Sequence, residues 1–158
     1  MLVKFRLNGH IVEEQAPPNW TLLDFLRDRL EMTSVKKGCD EGQCGACTVL
    51  LNGEPVCSCL ILAVQVRDAA VTTIEGLSKP GDLSVVQRAF VEKNGYQCGF
   101  CTPGMLLAAT ALLGQNPDPS IEEIKEALEG NLCRCTGYEQ IIESVSRAAE
   151  MMRISAGA

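Results

Sequence analysis

The sequence predicts an α+β chain whose two halves differ in kind: a small mixed sheet with one crossing helix, then helices alone. Three observations carry this. Short strands joined by Asn-Gly turns are confined to residues 2–74. Helix caps take over after residue 83 and strand signals vanish. Between the halves, Glu75-Gly76-Leu77-Ser78-Lys79-Pro80-Gly81-Asp82 reads as a linker. The chain has 158 residues, enough for two small domains, with expected limits of 1–76 and 83–158.

Residues 2–7 and 10–15 form two strands around Asn8-Gly9, a two-residue hairpin signal. Thr21 caps a helix in which Leu22, Phe25, Leu26 and Leu30 share an apolar face. The Gly-rich loop 38–47 leads to a second hairpin, Thr48 to Leu51 and Val56 to Cys59, turned by Asn52-Gly53. A short helical turn over 60–66 and a strand from Val71 to Ile74 complete a sheet of the β-grasp kind. In the second half, helices run from about Ser84 to Asn94, stopping at Gly95, and from Thr102-Pro103 to Gly114. Two more open on the boxes Ser120-x-x-Glu123 and Thr136-x-x-Glu139, the third ending at Gly130 and the fourth running to about Arg153. Short connections make these an all-α four-helix bundle.

Composition narrows the function classes. A content of 46% hydrophobic and 4% aromatic residues is globular rather than disordered. The net charge of −6 divides evenly between the halves, with no basic stripe, which argues against nucleic-acid binding. The longest apolar stretch, Met105 to Leu113, is too short to span a bilayer. The opening Met1-Leu2-Val3-Lys4-Phe5 reads as a strand rather than a signal peptide, so the cytoplasm is the expected location. There thiols stay reduced, and clustered cysteines bind metal more often than they form disulfides.

Nine cysteines carry the chemistry. The first set is Cys39-x4-Cys44-x2-Cys47 with Cys59 after eleven intervening residues, and the second is Cys98-x2-Cys101 with Cys133-x-Cys135. Four thiolates are the ligand set of a [2Fe–2S] cluster, and C-x4-C-x2-C with a distant Cys is the plant-type ferredoxin spacing. Gly38, Gly42 and Gly45 let the first loop wrap closely and turn N–H groups inward on an anionic centre. Helix starts after Cys101 and Cys135 would add positive dipole ends at the second. Two such sets imply an electron relay. Cys57 is the odd thiol. It lies two residues from Cys59, so on one strand both point to the same face and alternation does not choose between them.

Structural zinc competes at the second set, but C-x4-C-x2-C matches zinc knuckles poorly. A redox pair at Cys98 and Cys101 lacks a βαβ context. Rieske ligation needs two histidines, and only His10, beside a turn, is present. A freestanding ferredoxin-like carrier is the other rival. No Ser/His/Asp triad, nucleotide-binding loop or paired-carboxylate site is readable.

The stretch Cys39-Asp40-Glu41-Gly42-Gln43-Cys44-Gly45-Ala46-Cys47-Thr48-Val49 resembles the N-terminal cluster motif of the xanthine dehydrogenase family of molybdenum hydroxylases. Gln97-Cys98-Gly99-Phe100-Cys101-Thr102-Pro103-Gly104 and Gly130-Asn131-Leu132-Cys133-Arg134-Cys135-Thr136-Gly137-Tyr138 resemble the halves of its second motif. The length resembles the separate iron–sulfur subunit of carbon monoxide dehydrogenases, nicotinate and purine hydroxylases and 4-hydroxybenzoyl-CoA reductases. The resemblance implies a plant-type ferredoxin-like domain holding one [2Fe–2S] cluster near a flavin subunit. It implies a helical domain holding another near the molybdopterin of a catalytic subunit. By the same resemblance Cys59, not Cys57, is the fourth ligand of the first cluster, and Gln97 lies against the pterin. The implied assembly is a heterotrimer, itself dimerised, with a large subunit carrying molybdopterin cytosine dinucleotide and a medium subunit carrying FAD.

Overall fold

The computed structural model describes residues 1–79 and 81–157. Strands β1 (Leu2–Leu7) and β2 (His10–Gln15) pair antiparallel around Asn8 and Gly9, both left-handed at φ 50° and 86°. Alternation buries Val3, Phe5 and Leu7. Thr21 Oγ1 accepts from the Asp24 N–H at 3.1 Å and starts α1 (Leu22–Asp24). The turn then widens over Phe25–Arg29, where the Leu30 N–H reaches the Phe25 carbonyl. Glu31, left-handed at φ 57°, ends it, while Arg27 Nη1 caps the carbonyls of Thr33 and Val35. An uninterrupted α-helix is therefore not formed, though Leu22, Leu23, Phe25 and Leu26 are all fully buried.

Strands β3 (Thr48–Leu51) and β4 (Glu54–Cys57) turn on Asn52 and Gly53, again both left-handed. Strand β4 stops at Cys57, short of the expected end at Cys59. Buried Ser58 directs both its N–H (3.3 Å) and its hydroxyl (2.7 Å) at the Cys47 carbonyl, which converts Ser58–Leu60 into a 3₁₀ turn. A second 3₁₀ turn covers Ala63–Val66, and β5 (Ala70–Thr72) inserts centrally to give the order β2-β1-β5-β3-β4. Strand β5 runs parallel to β1 and antiparallel to β3.

The expected linker is packed at its start. Ile74–Gly76 form a 3₁₀ turn, and Glu75 accepts from the hydroxyls of Ser34 (2.6 Å) and Thr73. Ile74 and Leu77 lie against the second core. Pro80 of that segment is outside the described residues. Four helices follow: α2 (Val85–Glu92), α3 (Thr102–Gln115), α4 (Ile121–Leu128) and α5 (Glu139–Ala156). Helix α2 ends at Glu92 with Lys93 as C-cap, and the left-handed residue that follows is Asn94, φ 55°, rather than Gly95, whose lack of a Cβ instead admits Ser144 and Phe90. Helix α3 buries residues on all sides, from Gly104 to Leu113, as a central helix must. Helix α5 starts at Glu139, so the expected Thr136-x-x-Glu139 cap is absent; its N-cap is Tyr138.

Each half has its own core: Phe5, Leu22, Phe25 and Val49 in the first, Phe90, Met105, Ile124 and Ile141 in the second. Leu50 of β3 meets Leu107 and Ala111 of α3 between them. Below that patch the halves touch backbone to backbone, since a Cβ on Gly104 would lie 2.7 Å from the Gly45 carbonyl. Among the described residues no helix is long and apolar enough to cross a membrane.

Candidate metal centres

The first loop, 38–47, follows the widened turn after α1 and leads into β3. Its main chain points at sulfur: the Cys39 N–H donates to Cys44 Sγ at 3.3 Å, and the N–H groups of Glu41, Gln43 and Cys44 converge on Cys39 Sγ at 3.3–3.5 Å. These donors hold the Cys39 thiol down to about 7, the Glu41 N–H having the largest effect, then that of Cys44. The wrapping needs glycine at two positions in particular. Gly42 is left-handed at φ 80°, with Leu60 lying where a Cβ would go. Gly45, at φ 68°, is pressed against the Gly130 carbonyl and Asn131.

Cys47 and Cys59 form the buried side of this nest, 3% and 7% exposed, with Cys47 close enough to act on the Cys59 thiol. Burial first, then Cys47, pushes the Cys59 thiol up to about 12. Cys57 also comes near Cys47 and is pushed up to about 11, again mainly by burial. The two candidates for the fourth position do not share a strand, and their surroundings differ. The Gly42 main chain acts to lower the Cys59 thiol against burial, whereas Cys57 Sγ faces the Gly42 carbonyl at 3.8 Å. A carbonyl can only accept, so it favours a protonated thiol, while an N–H favours a thiolate.

The second nest joins two loops at helix ends. Cys98 and Cys135 are exposed, their sulfurs 3.6 Å apart, and half-buried Cys101 and Cys133 lie close enough to act on each other. Burial pushes Cys101 up to about 12. Cys101 is the N-cap of α3, as expected, but Cys135 lies four residues before α5, so no helix start abuts it. Thr136 serves there instead: its N–H (3.4 Å) and hydroxyl (3.1 Å) both meet Cys133 Sγ. Burial opposes ionisation of Cys133, yet these bonds hold its thiol below the ordinary range.

Around this open edge Tyr96, Phe100 and Leu132 are 43%, 46% and 57% exposed, and Gln97 is exposed beside Cys98. The nests are bridged by hydrogen bonds that the sequence does not announce. Leu132 N–H donates to the Cys44 carbonyl at 2.9 Å, and buried Asn131 Nδ2 donates to the Gly45 carbonyl (2.9 Å) and Thr48 Oγ1 (3.1 Å). An Asn preceding a cysteine motif was the available signal for this seam.

All nine cysteines are free. Among the described residues no three His, Cys, Asp or Glu side chains close on a single metal-ion position. The sulfurs instead gather in two groups: Cys39, Cys44, Cys47 and Cys59, with Cys57 also near Cys47, and Cys98, Cys101, Cys133 and Cys135. A two-iron cluster asks for four thiolates gathered in this way, two to each iron. Its negative charge suits the inward N–H groups and the buried Thr102 hydroxyl beside Cys101, which has no protein partner. The donor chemistry of both nests fits.

Residues 5–73 match the family described as 2Fe-2S iron-sulfur cluster binding domain, and residues 73–146 match the [2Fe-2S] binding domain. Over 148 residues the chain is 50% identical to the nicotinate dehydrogenase small FeS subunit of Eubacterium barkeri, covering 94% of each chain. It is 43% identical to the xanthine dehydrogenase iron-sulfur-binding subunit of Escherichia coli O157:H7, covering 90% of this chain and 91% of that one. The crystal structure of quinoline 2-oxidoreductase from Pseudomonas putida 86 superposes with a TM-score of 0.93 at 43% identity, over 98% of this chain and 96% of that chain.

Fold, thiols and relatives together define an iron–sulfur electron-transfer protein of a multisubunit oxidoreductase. Within that class, the chain belongs to the small iron–sulfur subunits of the xanthine dehydrogenase family of molybdenum hydroxylases, and it is a non-catalytic subunit.

Proposed function

We propose that this chain holds two [2Fe–2S] clusters and links a molybdopterin-bearing catalytic subunit to a flavin subunit. The observation that carries the reading is the gathering of eight thiols into two nests, with main-chain N–H groups turned onto sulfur in the first and Cys98 and Cys135 meeting at 3.6 Å in the second. When bound, each cluster supplies a one-electron carrier between centres that work in two-electron steps.

Cys39, Cys44, Cys47 and Cys59 are the ligands of the first cluster; Cys98, Cys101, Cys133 and Cys135 are those of the second. The Gly42 main chain acting to lower Cys59 and the Gly42 carbonyl at Cys57 support this choice, leaving Cys57 as a thiol. The first centre lies in a β-grasp, plant-type ferredoxin-like domain, residues 1–76, and the second in an all-α four-helix-bundle domain, residues 83–158. The exposed edge at Cys98 and Cys135, rimmed by Tyr96, Phe100 and Leu132, suits docking against a larger chain. Gln97 on that edge contacts the pterin of the docked subunit. The assembly is a cytoplasmic heterotrimer, itself dimerised, with molybdopterin cytosine dinucleotide on the large subunit and FAD on the medium one.

Iron and acid-labile sulfide analysis of the native complex is expected to give about four of each per copy of this chain. Electron paramagnetic resonance after dithionite should resolve two S = ½ signals. Cys59→Ser should disturb the first signal alone, and Cys57→Ser neither. A colourless preparation holding zinc overturns the reading, and damage from Cys57→Ser overturns the ligand choice.

A further inference from the structure

Tyr138 has a backbone that large side chains rarely adopt, φ 71° and ψ −22°, directly after Gly137 at φ 66°. Such strain persists only where surrounding contacts hold it. Here both ends of the tyrosine grip the loop that presents Cys133. Its hydroxyl accepts from the Cys133 N–H at 2.8 Å and donates to the Asn131 carbonyl at 3.2 Å. Its own N–H donates to Thr136 Oγ1 at 3.2 Å. Thr136, 8% exposed, lies with that same oxygen 3.1 Å from Cys133 Sγ.

The direction of this last bond follows from the others. A ligating sulfur is a thiolate and cannot donate. Thr136 Oγ1 already accepts the Tyr138 N–H, so its proton is free to point at sulfur. Among the described residues no other cysteine sulfur is bonded to a hydroxyl; those of the first nest meet N–H groups, a carbonyl or another thiol.

We infer that Tyr138 and Thr136 form a positioning clamp that aims a hydroxyl at Cys133 and so raises the reduction potential of the second centre without touching the first. One added electron increases the negative charge at that sulfur. A donor fixed beforehand therefore stabilises the reduced form more than the oxidised one. The inference rests on the two-cluster reading above.

The test is a potentiometric titration, followed by electron paramagnetic resonance, on the native complex carrying Thr136→Val, Thr136→Ser or Tyr138→Phe. In Thr136→Val the second signal's midpoint should fall by an amount equal to roughly a tenfold weaker reduction, about 59 mV for one electron. Thr136→Ser should restore it, and the first signal should not move. Tyr138→Phe, which keeps the ring and loses only the hydroxyl, should shift the same midpoint in the same direction; it carries the test if Thr136→Val fails to assemble. Both signals present with neither variant shifting the second overturns the clamp alone, as does an equal shift of both signals. Absence of a second signal in the unmodified complex overturns the two-cluster reading itself.

Discussion

The first thiol nest is made by one loop folding around its sulfurs, the second by two loops meeting at the ends of helices. Cys39, Cys44 and Cys47 share one short segment, and only Cys59 arrives from elsewhere. Cys98 and Cys135 are 37 residues apart in sequence yet 3.6 Å apart at sulfur. The first nest can be shaped by local backbone, with glycines and inward N–H groups, and its inner thiols are buried. The second exists only once α3, α4 and α5 have packed, and its outer thiols stay exposed. Local construction yields an enclosed site here, and tertiary construction yields an open one.

Thiol reactivity in metal-free protein should sharpen this contrast most. Cys39, held at about 7 by main-chain donors, is far more ionised at neutral pH than Cys59, which burial pushes up to about 12. Alkylation with iodoacetamide, followed by peptide mass mapping, should label Cys39 far ahead of Cys59, with Cys59 gaining only as pH rises. Equal labelling would break the picture of a polarised first loop.

Next in size is a matched glycine test. Gly45→Val puts a side chain into the Gly130 carbonyl and Asn131 at φ 68° and should cost about 4 kcal/mol or more in urea unfolding. Gly99→Ala, in the second nest at φ 82° but with open space around it, should cost only about 1–2 kcal/mol of backbone strain. Asn131→Ala falls between, at about 1–3 kcal/mol, because Thr48 still donates to the Gly45 carbonyl when the amide is gone. If Gly99→Ala proved as costly as Gly45→Val, the second nest would be as closely packed as the first.

Features set by neighbouring residues were legible in the sequence. Asn8-Gly9 and Asn52-Gly53 turn their hairpins through left-handed residues, and Ser120 and Glu123 cap α4 reciprocally. The two groups of cysteines are brought together as their spacing suggested. What escaped was decided by partners far along the chain or by competition for one group. Thr136 reads as a helix cap, but its hydroxyl is engaged by Cys133 and Tyr138, and α5 begins later. Cys57 and Cys59 read as strand neighbours until Ser58 claims the Cys47 carbonyl and bends the chain between them. The widened turn after α1 and the seam through Asn131 have no periodic pattern to betray them.

That seam has a mechanical consequence. Gly45 and Gly104 face one another with no side chains of their own and the Asn131 amide lying against both, so the halves abut at close to the thickness of a peptide. A joint of this kind has no soft filler to compress or stretch. The span from one sulfur cradle to the other is ruled by main-chain dimensions, and surface drift among cousins of this polypeptide can redecorate the exterior while leaving that gauge unchanged.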